Sequence, residues 1–130
     1  MKNSSKKEII LIVEDDIFLS DLYKTKMELE GFKVLAAYDG EKGLELAQKN
    51  IPNIILLDLI LPKLSGFGVL EKLKANKATQ GIPVIILTNL SQKGDVEKGL
   101  KIGANDYLIK AHFMPSEVVE KIKRLMSTKS

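Results

Sequence analysis

Three carboxylates stand in a row at Glu14, Asp15 and Asp16, directly after the apolar run IILIV. Adjacent like charges repel, so such a row implies a cation to neutralise it or a helix end to receive part of it. Asp58 ends a second apolar run, Thr88 with Asn89 a third, and Lys110 a fourth. Carboxylates drawn from two segments make a site for a hard cation. Mg²⁺ suits it, taking one or two carboxylates, keeping several waters and sharing phosphate oxygens. Mn²⁺ accepts the same oxygen ligands. A divalent metal beside a carboxylate, an ammonium and a hydroxyl is a constellation for phosphoryl transfer. Metal and ammonium neutralise charge on the moving group, and the protein mainly positions it. A carboxylate can itself attack, giving an acyl phosphate.

Taken singly, each residue has a plainer role. An Asp after a strand caps a turn, a Thr fills a strand, and a terminal Lys is solvated. Their joint arrival at one place carries the chemical reading, so the elements that deliver them matter. Short β-branched runs recur at 8–13, 32–37, 53–58, 83–88 and 106–110. The central ones are apolar without alternation, as in strands buried on both faces. Helical spacing lies between them. Phe18, Leu22 and Leu29 line one face of the first helix, which stops at Gly31. Leu44 and Ala47 mark the second, and Phe67, Leu70 and Leu73 the third. The last is the clearest, with Val118, Val119, Ile122, Leu125 and Met126 on one face and Pro115 at its first position. The fourth, SQKGDVEKGLKIG, contains Gly94 and Gly99, each costing about 1 kcal/mol against Ala. It reads either as a marginal surface helix or as one kept loose because it moves.

The order βαβαβαβαβα predicts an α/β fold: one doubly wound, five-stranded parallel sheet with helices on both faces. Ligands bind beyond the carboxyl ends of such strands. Four of the five strands deliver polar groups to that rim; the second, ending at Ala36-Ala37, does not. The alternatives fail by absence. There is no G-x-G-x-x-G after the first strand and no Walker A motif, and the loop EDDIF repels bare phosphate. With no cysteine and a single histidine, His112, nothing favours zinc.

The chain has 130 residues, one domain's worth, and a net charge of +3 from 20 basic and 17 acidic residues. That charge is too mild to argue for direct binding of nucleic acid. No apolar run reaches the length of a membrane helix, and MKNSSKKE lacks a signal-peptide core. The expectation is a single cytoplasmic domain over 1–130, ordered over about 7–127, with frayed ends at MKNSSKK and STKS.

The stretches LIVEDD, YDGEKGLELA, NIILLDLILPKLSGFGVL, IPVIILT and GANDYLIK together resemble the receiver domain of two-component response regulators over nearly the whole chain. The resemblance implies the flavodoxin-like (βα)₅ topology and transfer of a phosphoryl group from a histidine kinase, or a phosphotransfer protein, to Asp58. It implies that Asp15 binds Mg²⁺ directly, that Glu14 does so through water, and that Asp58 and the backbone carbonyl of Ile60 complete the metal site. Thr88 and Lys110 would hold phosphoryl oxygens. Thr88 and Tyr107 would form the switch, the ring turning inward when Thr88 moves. Asp16 falls outside the acidic pair and suits a cap for the helix beginning near Ile17. An output protein or a second copy would dock on the fourth helix, fifth strand and fifth helix.

Two departures from the family pattern stand out. Ala111 follows Lys110 where proline is common, and a cis bond without proline costs about 2.5–4 kcal/mol, so a trans bond is expected. Asn89 stands where a small residue is usual. The resemblance implies that the side chains of Ile60 and Leu90 flank the approach of water to Asp58, and their apolar character predicts a long-lived phosphorylated state. The leading reading is a phospho-acceptor module that assists its own phosphorylation and dephosphorylation without turning over a foreign substrate. The alternatives are a phosphorylation-independent binding scaffold of the same fold, and a small phosphotransferase or phosphatase of another family. The scaffold fits poorly with an intact Asp15, Asp58, Thr88 and Lys110. The enzyme would need a further base or pocket. The sequence leaves open whether the domain stands alone or belongs to a longer regulator.

Overall fold

The computed structural model describes residues 7–127. The expected fraying of the ends falls, apart from Lys7 and Ser127, outside the described residues. Five strands alternate with five helices: β1 (Ile9–Val13), α1 (Ile17–Leu29), β2 (Lys33–Ala37), α2 (Gly40–Asn50), β3 (Ile54–Leu57), α3 (Gly66–Ala75), β4 (Val84–Thr88), α4 (Lys93–Ile102), β5 (Asp106–Ile109) and α5 (Pro115–Ser127). A single 3₁₀ turn, Lys110–His112, links β5 to the last loop. The strands pair in parallel in the order β2-β1-β3-β4-β5, the doubly wound sheet that the alternation predicts.

Every residue of β3 and β4 is buried, which explains their apolar runs, with Thr88 at the end of β4 as the one polar residue: each has helices on both faces. One face packs Ile10, Ile12, Leu56 and Leu87 against Tyr23 and Met27 of α1 and Val118 and Ile122 of α5. The other packs Leu11, Ile55, Leu57 and Ile86 against Ala47 of α2 and Val69, Leu70 and Leu73 of α3. Pro115 is the first residue of α5, as expected, and Val118, Val119, Ile122 and Met126 form its buried stripe.

The face of α1 differs from the expectation. Phe18 and Leu29 are 90% and 81% exposed and Leu22 is 43% exposed, while Ser20, Tyr23 and Met27 are buried. At 100° per residue the two sets lie on opposite sides of the helix. The packing side was hidden because it carries a serine and a tyrosine, and the solvent side carries a phenylalanine and two leucines.

The fourth helix is also not uniformly marginal. Gly94 is exposed, but Gly99 is buried against the sheet.

Candidate functional site

Parallel strands bring all five carboxyl ends to one edge, and the register decides which ends touch. Val13 pairs with Leu57, so Glu14 and Asp58 emerge side by side, and the Asp58 amide donates to the Val13 carbonyl at 3.0 Å. Thr88 pairs with Ile109, so Lys110 follows at the same edge of the sheet. The crossover that puts β1 between β2 and β3 opens the crevice where ligands bind in this architecture.

Lys110 then spans the pair. Its ammonium lies 2.6 Å from Glu14 Oε1 and 2.8 Å from Asp58 Oδ2. The second oxygen of each carboxylate accepts a backbone N–H, Glu14 Oε2 from Asp16 at 2.9 Å and Asp58 Oδ1 from Ile60 at 3.2 Å. Glu14, Asp58 and Thr88 are all buried, while Asp15 is exposed beside them. One oxygen each from Glu14, Asp15 and Asp58 fall within 4.8 Å of one another. That is an all-oxygen cluster of the size and hardness that Mg²⁺ or Mn²⁺ takes.

The electrostatics follow from burial. Loss of water pushes the Glu14 carboxyl above its ordinary value of 4.5, against the downward pull of Lys110. Burial alone would lower the Lys110 ammonium, but its hydrogen bonds to Asp58 and Glu14 outweigh that, and it lies above 10.5.

Asp16 stands apart from this cluster. Its Oδ1 accepts the Leu19 N–H at 3.1 Å and caps α1, the separate role its position suggests. Among the described residues no peptide bond is cis, so Lys110–Ala111 is trans. His112 is exposed. Tyr107 is half-buried, its hydroxyl donating to the Leu90 carbonyl at 2.7 Å, and the Leu90 amide reaches back to Thr88 Oγ1 at 3.4 Å. Thr88 and Tyr107 are thus joined through one loop residue.

Two residues near the site were not singled out by the sequence. Tyr23 of α1 lines a small gap under the carboxylates together with Ile12, Glu14, Leu56, Asp58 and Leu87. Burial raises its phenol to about 12. Its spacing to Met27 was the available signal. Gly66, the first residue of α3, lies so close to the chain after Asp58 that a Cβ there would meet the Asp58 carbonyl oxygen at 2.2 Å. Only glycine lets the helix begin there.

Residues 10–123 match the family model of the response regulator receiver domain. The chain belongs to this family. It is 42% identical over 117 residues to the DNA-binding dual master transcriptional regulator RpaA of Synechocystis sp., covering 90% of this chain and 48% of that protein. It spans about half the length of the curated relatives it matches. The receiver domain of the Francisella response regulator 1452 superposes with a TM-score of 0.87 at 31% identity, covering 95% of this chain and all of that one. The Mn²⁺-bound form of response regulator Rcp1 superposes with a TM-score of 0.79 at 30% identity, covering 89% and 91% of the two chains. This receiver domain is therefore a signalling module of two-component systems, and among its described residues no helix is long and apolar enough to cross a membrane.

Proposed function

We propose that this receiver domain takes a phosphoryl group on Asp58 from the phosphohistidine of a histidine kinase or phosphotransfer protein, in a reaction that depends on Mg²⁺. The observation that carries the reading is the placement of Lys110 between Glu14 and Asp58 at 2.6 and 2.8 Å. This ammonium is the counter-charge of two buried carboxylates, and it stands where it can also neutralise a phosphoryl oxygen on Asp58.

An Asp58 carboxylate oxygen attacks phosphorus, the P–N bond to the histidine breaks, and the imidazole leaves with the electron pair. Lys110 stays with a phosphoryl oxygen, and the buried Thr88 hydroxyl takes another. Glu14, Asp15, Asp58 and the Ile60 carbonyl would hold the metal, which when bound supplies positive charge to the phosphoryl oxygens. A structural relative, response regulator Rcp1, has been solved in an Mn²⁺-bound form, which supports a divalent metal here. Asp15, exposed at the rim, is free to approach the cation directly. Glu14, held by Lys110 and the Asp16 amide, is suited to act through water.

The donor needs apolar surface at the same edge. Phe18 and Ile17, just after the acidic row, are exposed, as are Ile60 after β3 and Met114 before α5. The response passes outward through Thr88, Leu90 and Tyr107 to α4, β5 and α5, where an output protein or a second copy docks. The same residues assist hydrolysis of the acyl phosphate, so the domain resets itself without acting on a foreign substrate. Incubation with acetyl phosphate and Mg²⁺ should add one phosphate by intact mass, and Asp58→Asn should abolish it. Full labelling of Asp58→Asn would overturn the assignment.

A further inference from the structure

The ten-residue helix α4 carries glycines at 94 and 99, and their surroundings differ. A Cβ built on Gly94 meets nothing within 4 Å, whereas one on Gly99 meets Ile86 Cδ1 at 2.7 Å and the Tyr107 ring carbons Cδ2 and Cε2 at 3.2 and 3.3 Å. Ile86 and Tyr107 are register partners on β4 and β5, so the glycine sits over the seam between them. Ile86 Cδ1 is the end of a flexible side chain and can swing aside. The tyrosine ring moves only as a plate, and its far end is tied by the 2.7 Å hydrogen bond to the Leu90 carbonyl.

The helix is also tied to its neighbour α3. The Lys98 ammonium, one residue before Gly99, stands 4.4 Å from the centre of the Phe67 ring on α3. Room for a side chain at 99 therefore has to come in part from the half-buried ring, which must give by a few tenths of an ångström.

We propose that Gly99 is a positioning residue for Tyr107: its bare Cα forms the slot that lets the ring lie inward with its hydroxyl on Leu90, and a side chain there presses on the ring and displaces it. The inference rests on the reading of Tyr107 as the switch element. It goes beyond it in locating on α4 the residue that sets where the ring rests. It also replaces looseness of the helix as the reason for this glycine. If flexibility were the purpose, Gly94 would serve equally, since both glycines lower helix propensity by a similar amount.

The test uses protein labelled with 3-fluorotyrosine. The chain has three tyrosines, so three ¹⁹F resonances are expected, and Tyr107→Phe identifies the one of interest. Gly99→Ala should move that resonance, and Gly94→Ala should leave it in place. Gly99→Ala combined with Ile86→Val removes the 2.7 Å contact and keeps the ring contacts. It should show the same shift, and it carries the comparison if the single variant does not fold. An unmoved Tyr107 resonance in either folded Gly99→Ala protein, or an equal movement in Gly94→Ala, overturns the proposal. Phosphate uptake by intact mass is measured on the same wild-type sample. Its failure would count against the phospho-acceptor reading, and the ring measurement would still decide the role of Gly99.

Discussion

The Lys110 ammonium stands closer to Glu14, at 2.6 Å, than to Asp58, at 2.8 Å. One cation therefore serves two buried carboxylates, and a metal entering the cluster competes with it for Glu14. Removing it as Lys110→Met leaves Glu14 and Asp58 facing each other without a counter-charge. In chelator this should destabilise the fold by about 3 kcal/mol, in the range for breaking one side of a buried ion pair. Mg²⁺ should restore much of that loss and bind about tenfold more tightly than to wild type, since the competing cation is gone. Thermal melts with and without Mg²⁺, with calorimetric titration, measure both quantities. Unchanged affinity would show that Lys110 and the metal do not compete.

The acidic row divides between two duties. Asp16 accepts the Leu19 amide and caps α1, while Asp15 shares the oxygen cluster with Glu14 and Asp58. Asp16→Ala should cost about 1 kcal/mol of stability, the usual loss for an N-cap, and leave Mg²⁺ affinity within about twofold. Asp15→Asn should do the reverse, weakening Mg²⁺ by at least about tenfold with little effect on the metal-free melt. Stronger metal loss from the Asp16 change would reverse the assignment.

Tyr23 gives the fold an alkaline limit. Its phenol is raised by burial from 10.0 to about 12, so between those values the folded state keeps a proton that the unfolded state has lost. The stabilisation is complete below pH 10 and is lost as pH rises through about 12. A gap of that size corresponds to about 3 kcal/mol. Lys110, also raised, acts with the same sign above 10.5. Urea unfolding between pH 9 and 12 should therefore show falling stability in wild type and a flatter profile in Tyr23→Phe. Identical slopes would mean that the phenol titrates alike in both states.

The site was legible in the sequence because it sits where patterns end. β3 and β4 are buried throughout, so Asp58 and Thr88 stand out where their apolar runs end, while Lys110 follows the shorter and only partly buried β5; parallel order sends all three to one edge. The packing of α1 was not legible. Its apolar residues Phe18, Leu22 and Leu29 face solvent, and Ser20 and Tyr23 face the core. Tertiary packing set its orientation, with Tyr23 and Met27 fitting against Ile10, Ile12 and Leu56. Gly99 was legible as an interruption but not as a slot, because nothing in a helical pattern says which ring lies beneath it.

The lifetime of the phosphorylated state should be long. Hydrolysis needs a water in line with the acyl phosphate on Asp58. Ile60, two residues on, donates its amide to Asp58 Oδ1 at 3.2 Å, and its side chain is 56% exposed. Leu90 is half-buried, anchored by its own backbone to Thr88 and Tyr107. Neither side chain can orient or activate water. Asn89 is exposed nearby and could hydrogen-bond to one, but two apolar groups remove room as well as donors, so exclusion should win. Replacing both, as Ile60→Asn with Leu90→Glu, keeps the backbone bonds and adds polar groups on the water's approach. Decay of the phosphorylated protein after donor removal should then speed up about tenfold, equivalent to about 1.4 kcal/mol off the barrier. If the double variant decays no faster than wild type, water access past these two side chains is not what limits the lifetime.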